Sequence, residues 1–125
     1  MNYAPTERLD SVRSELRSAG YEVLDLNGAG VVNAPTFFAA ASRQLFNGEP
    51  ISNWDSFGDV LANSRTIVLS DRAALVWSHA HEMLTSGLRD LITATDVLTG
   101  ISRLVYADDS RRFITFLIGD GPNFA

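Results

Sequence analysis

Apolar residues recur along this chain with two different periods. Pro5 and Thr6 open a stretch in which Leu9, Val12 and Leu16 fall three to four residues apart, with Gly20 behind them. That spacing predicts an amphipathic helix over residues 5–19, its Arg8, Arg13 and Arg17 lying near acids on an ordinary solvated face. Tyr21 to Leu26, closed by Asn27-Gly28, predicts a strand. A second helix is expected from about Asn33, with Pro35 in its first turn and Phe38, Ala41 and Leu45 at core spacing. Asn47-Gly48-Glu49-Pro50 reads as a loop, and a helix carrying Trp54, Phe57 and Leu61 follows and fades at Asn63-Ser64. Thr66 to Leu69 is a short, continuously apolar run, as expected of a strand covered on both faces. Ser70 or Asp71 then caps an expected helix with Leu75, Val76 and Trp77. A break at Ser86-Gly87 precedes a longer helix with Leu88, Leu91, Thr95, Leu98 and Val105 on one side. Phe113 to Ile118 predicts the last buried strand, and Gly119-Asp120-Gly121-Pro122 ends regular structure. Strands alternating with helices imply an α/β fold with a small three-stranded parallel sheet and right-handed crossovers. Residues 1–125 read as a single domain, with 1–20 a helical extension and 21–121 the core.

Composition narrows the chemistry. A chain of 125 residues suits one domain and buries enough surface to need no staples. Cysteine is absent, which removes disulfides, thiolate metal sites and cysteine nucleophiles. All 10 bases are Arg, so no lysine is present for a P-loop or a Schiff base. The net charge of −5 argues against non-specific nucleic-acid binding and is compatible with a basic partner. No apolar stretch approaches membrane-spanning length, so a cytoplasmic protein is expected.

The most informative stretch is Ser52 to Leu61. It places Asp55 and Asp59 one turn apart, within roughly 40° of each other on a helix that turns about 100° per residue. Their helical neighbours at three and four positions are Ile51, Ser52, Gly58, Ala62 and similar small residues, with no Arg among them. Like charges at this spacing cost an isolated helix a few tenths of a kcal/mol, roughly, so folding alone gives no reason to keep the pair. Asp55 taken alone has a structural explanation, because an acid in the first turn complements the helix dipole, with Ser52 or Asn53 as the cap. Asp59 lies a turn deeper and lacks that explanation. Trp54, Phe57 and Leu61, on the other side, form a core-facing stripe. Gly58 sits mid-helix, where it permits either close approach by a partner or tight packing within the chain.

Other signals carry less. His79 and His81, read on a helix, would point about 200° apart and not share an ion. Asp25 and Asp71, near expected strand ends, could join Asp55 in a magnesium-binding or phospho-accepting acidic module. No Lys exists to complete such a site, and turn or cap roles account for both acids. No Ser-His-Asp spacing is informative, and no enzyme, cofactor or metal is expected.

The stretch Asn53-Trp54-Asp55-Ser56-Phe57-Gly58-Asp59-Val60-Leu61 resembles the signature of the barstar family of ribonuclease inhibitors, roughly Asn-Trp-Asp-Ala-Leu-x-Asp-Cys-Leu. The resemblance extends over about Tyr21 to Asp71, with Val60 replacing the usual Cys and no aromatic in the loop from Asn47 to Ser52. It implies an intracellular, non-enzymatic protein that plugs the cationic active site of a basic ribonuclease, one to one, without touching nucleic acid or membrane. By motif position Asp55 and Asp59 would enter that site, Asp59 the deeper. Asn53, Gly58 and Glu49 complete the expected partner-binding set, the loop from Asn47 to Ser52 forming its rim. A further acid from the C-terminal half has no motif to place it, and Glu82 and Asp90 are both candidates. A scaffold of the same kind binding some other basic protein is the remaining alternative.

Overall fold

The computed structural model describes residues 1–107 and 110–125. Strand β1 (Asn2–Pro5) leads through a 3-10 turn into α1 (Leu9–Ser18) and β2 (Glu22–Asn27). Three helices follow: α2 (Ala34–Leu45), α3 (Trp54–Ala62) and α4 (Arg65–Leu69). Then come β3 (Arg72–Ser78), α5 (His81–Ser86), α6 (Leu88–Tyr106) and β4 (Arg112–Gly119). The four strands form one parallel sheet in the order β1-β4-β3-β2. The fold is thus mixed α/β.

Alternation along the strands divides the core in two. Leu26, Leu75, Trp77, Phe113 and Leu117 belong to the larger core, with Phe37 and Ala41 of α2, Phe57 and Leu61 of α3, Met83 of α5 and Leu98 of α6. Ala4, Ala74, Val76 and Ile118 belong to the smaller one, under Val12 and Leu16 of α1. Among the described residues, one face of the sheet thus carries five helices, including α3, while α1 covers the other. Arg13 and Arg17 of α1 pin it to Asp25 of β2, at 2.7 and 3.7 Å.

Two expectations are exchanged along the chain. Thr66–Leu69 is not a strand but part of the short helix α4, capped by Ser64. Of its apolar residues only Ile67 is buried, whereas Val68 and Leu69 are 53% and 68% exposed, so nothing covers a second face. The expected helix over Leu75, Val76 and Trp77 is instead β3, in which every residue from Ala73 to Ser78 is buried. A continuous apolar run has no period, and only the neighbouring strands decide its conformation. The sheet also gains a fourth strand, β1, with Asn2 to Pro5 paired to Phe116 to Gly119. Four residues at an edge carry too little pattern to be read, and Pro5 is tolerated there because an edge strand can spare a donor.

The turn after β2 is locked by close approach. The Gly28 N–H donates to the Ser78 carbonyl at 2.8 Å. A Cβ on Gly28 would lie 2.4 Å from that carbonyl oxygen and 2.6 Å from Nε1 of the fully buried Trp77. Gly28→Ala is therefore expected to cost about 1–3 kcal/mol, the range for overpacking, read as a lower midpoint in urea unfolding with an unchanged slope.

Candidate functional site

Local sequence alone holds α3 weakly: two Asp, one Gly and the β-branched Val60 take four of its nine positions. Its start is fixed by a reciprocal cap. Asn53 is extended, its side-chain oxygen accepts from the Ser56 N–H at 2.8 Å, and its own N–H donates to the Ser56 hydroxyl at 3.2 Å. Asn53 thus spends its side chain on helix initiation, a contribution of about 1 kcal/mol. The other end closes on Asn63, whose backbone N–H and side-chain amide both donate to the Asp59 carbonyl, at 3.1 and 2.8 Å.

Tertiary packing supplies the rest. Phe57 and Leu61 have no exposed surface. The Phe57 ring meets Phe37 edge-on at 4.9 Å, and half-buried Trp54 packs edge-on against Phe38 at 4.7 Å. Such aromatic pairs fix orientation as well as burial. Gly58 is half-buried and faces α6: a Cβ there would stand 3.3 Å from Val97 Cγ1. Of its two possible uses, tight packing within the chain is the one with a contact.

With its aromatic side buried, α3 turns Asp55 and Asp59 outward. Both are exposed, and among the described residues neither has an ion pair. Arg8, Arg13 and Arg17 find their carboxylates on Asp10, Glu15 and Asp25, all on α1 or β2. Glu49 is also exposed, on a turn locked to the end of α2. There Asn47 and Gly48 take left-handed conformations, the Gly48 N–H donates to the Ser42 carbonyl, and the Ser42 hydroxyl donates to the Glu49 carbonyl. A left-handed pair at a helix C-terminus suits Asn and Gly, which bear that conformation at least cost. Beside these residues a cleft of about 670 Å³ opens between the Asn47–Glu49 turn, the C-terminal end of α3 and the start of α4.

The remaining candidates lie elsewhere. Asp25 points toward α1 and is held by Arg13 and Arg17, Asp55 is on α3 beyond the other face, and Asp71 precedes β3 at the strand's entry. These three acids do not converge, and among the described residues no group of His, Cys, Asp or Glu is placed to hold a metal ion. Glu82 accepts from the Gly30 N–H at 3.2 Å, and Asp90 from the Ala34 N–H at 2.8 Å, capping the first turn of α2 from α6. Both possible third acids are therefore engaged inside the fold, a use visible only once α2, α5 and α6 are assembled. Asp96, next to Val97 in α6, is an exposed acid beside the α3 contact that no sequence signal marks out.

The His79–His81 pair differs from its helical reading. His79 stands in a turn with a left-handed φ of 55°, and only His81 belongs to α5. The rings are 6.1 Å apart, and His81 Nδ1 accepts from the Asp120 N–H at 3.1 Å. That bond ties the end of β4 to α5. Among the described residues no helix is long and apolar enough to cross a membrane. No family model, curated protein or solved structure matches this chain.

Proposed function

We propose that the chain is a barstar-like inhibitor of a ribonuclease, working in the cytoplasm of the cell that makes the enzyme and catalysing nothing itself. The observation that carries this reading is a pair of carboxylates, Asp55 and Asp59, exposed on a rigidly seated helix and unclasped by any described cation of the chain. A ribonuclease cleft is cationic because it must hold an RNA phosphate and stabilise the charge that develops there. A preformed anionic helix complements that field, speeds encounter, and holds the complex once water is expelled. The resemblance of Asn53 to Leu61 to the barstar signature supplies the nuclease as the partner. Asp59 is the deeper anchor and Asp55 its neighbour, with the Asn47–Ser52 loop and Glu49 at the rim. Asn53 serves from within, as the cap that fixes the direction in which α3 leaves the loop.

The test is a titration of small, basic microbial ribonucleases with this chain, read as loss of RNA cleavage at one equivalent. Stopped-flow association should slow at least tenfold between about 0.02 and 0.5 M salt, since screening shortens the reach of the field several-fold. A flat salt response would remove electrostatic steering from the reading. Capture of a basic protein that does not degrade RNA would move the chain to the scaffold alternative.

A further inference from the structure

We propose that the chain pairs with a second copy of itself along the free flank of α6 and the edge strand β1, the two α6 helices running antiparallel about a two-fold axis. The inference is independent of the inhibitor reading. It starts from a second stripe on α6. Leu91, Ala94, Leu98, Ile101 and Val105 form the buried one. Leu88, Ile92, Thr95, Thr99, Ser102 and Tyr106 form another, at alternating steps of four and three, the spacing with which one helix seats against another. None of the six is charged, although Arg89, Asp96 and Arg103 stand on the same helix. The stripe borders two hollows, of about 250 and 240 Å³, whose linings also include Met1, Asn2 and Tyr3. Val97, which meets α3 at Gly58, lies roughly 140–180° around the helix from Leu88, Ile92 and Thr99, so the stripe faces away from α3 and its acids.

Area, edge and charge favour the same occupant. Tyr3, Leu88, Ile92 and Tyr106 are each more than half exposed. At roughly 200 Å² a side chain they leave about 400 Å² per copy in water, or about 800 Å² across a two-fold, to which the threonines and the strand edge add the remainder of a small specific interface. β1 is the outermost strand of the sheet, and Pro5 has no N–H to offer, so its edge supports only a short ladder. A second copy brings an equal edge and an equal helix flank at once. Antiparallel pairing of β1 with its copy leaves both α6 helices on one face of the joined sheet, side by side. The charges choose the register. Arg89 and Asp96 are exposed, and among the described residues neither has an ion pair. An antiparallel pair centred between Ile92 and Thr93 sets Arg89 of each copy level with Asp96 of the other, two opposite-charge contacts at the rim. Tyr3 lines the same hollow as Leu88, Ile92 and Thr95, so strand and helix are centred at one level. The net charge of −5 on each copy opposes the pairing, which places it among weak dimers rather than obligate ones.

The full chain is followed by sedimentation over a range of concentrations, and a monomer–dimer equilibrium with a midpoint of roughly 10–100 µM is expected. Ile92→Glu, at an exposed position, should abolish the dimer with the urea midpoint little changed. Arg89→Asp and Asp96→Arg each act twice by symmetry. Each should weaken the dimer at least about tenfold, and the two together should restore it. Because the chain has no cysteine, Ile92→Cys and Leu104→Cys each carry a single thiol. A short bismaleimide should join Ile92→Cys into dimers and leave Leu104→Cys, exposed on the opposite flank of the same helix, monomeric. A dimer indifferent to Ile92→Glu, charge variants that the double substitution does not rescue, or cross-linking at Leu104→Cys in place of Ile92→Cys would overturn the proposal. So would a monomer throughout the range, which would leave the groove to a partner other than this chain. No nuclease enters these measurements, so their failure leaves the inhibitor reading standing, and failure of inhibition leaves the dimer result intact.

Discussion

Asp59→Ala is expected to abolish inhibition while leaving the protein as stable as before, or more so. In the free protein Asp59 makes no ion pair with any described residue and stands one turn from a like charge. It lies toward the C-terminal end of α3, where the helix dipole disfavours an anion, and alanine is the better helix former. Removing it relieves a few tenths of a kcal/mol of repulsion, roughly, and adds a similar gain in propensity. In the complex the same carboxylate would sit desolvated among cations. Truncating one member of such a pair costs about 2–5 kcal/mol, a range to which barstar complexes themselves contribute, or roughly thirty-fold to several thousand-fold in affinity. The measurement is an inhibition constant beside a urea midpoint for the same sample. A substantial fall in the midpoint with unchanged inhibition would make Asp59 a structural residue and end the proposal. Asp55→Ala should follow the same course more mildly, because Asp55 gains something from the helix N-terminus even without a partner.

The parts of the fold legible in the sequence are those where burial imposes a period. α2 and α6 show their apolar faces every three to four residues, and α3 adds a cap, read from the sequence as Ser52 or Asn53 and made by Asn53. The acidic pair is legible for the same reason, since helical geometry places both carboxylates from spacing alone. What the sequence hides depends on assembly. Arg72–Ser78 is flanked by strands from both ends of the chain, β2 and β4, and buried from Ala73 onward, so its local pattern is silent. Thr66–Leu69 carries the same kind of apolar run yet lies at the surface, because the sheet has no place for it between α3 and β3. The carbonyl of Ile67 in α4 accepts from the Arg111 guanidinium, 44 positions away, a contact no window could anticipate. The cleft has the same origin. Leu24, Phe46, Asp59 and Arg65 meet only because β2, α2, α3 and α4 share one edge of the molecule.

Phe57→Ala is the counterpart experiment, expected to fail in the opposite way. The ring has no exposed surface, and it contacts Phe37 at 4.9 Å, Trp54 at 6.1 Å and Phe46 at 6.2 Å between centroids. Those three aromatics belong to the neighbouring helix α2, to α3 itself and to the residue just past α2, so the cavity would open at the junction that seats the acidic helix. The cost should therefore lie in the range for buried phenylalanine, about 3–5 kcal/mol, against a total of roughly 5–15 for a domain. The urea midpoint should fall accordingly, and inhibition should fall only as far as the folded fraction falls. Sucrose, which favours the compact state, should restore folding and inhibition together in Phe57→Ala, but neither it nor cooling should restore inhibition in Asp59→Ala. A midpoint change worth less than about 1 kcal/mol would show that α3 is not anchored through this ring. Rescue of folding without rescue of inhibition would show that the ring does more than hold the helix in place.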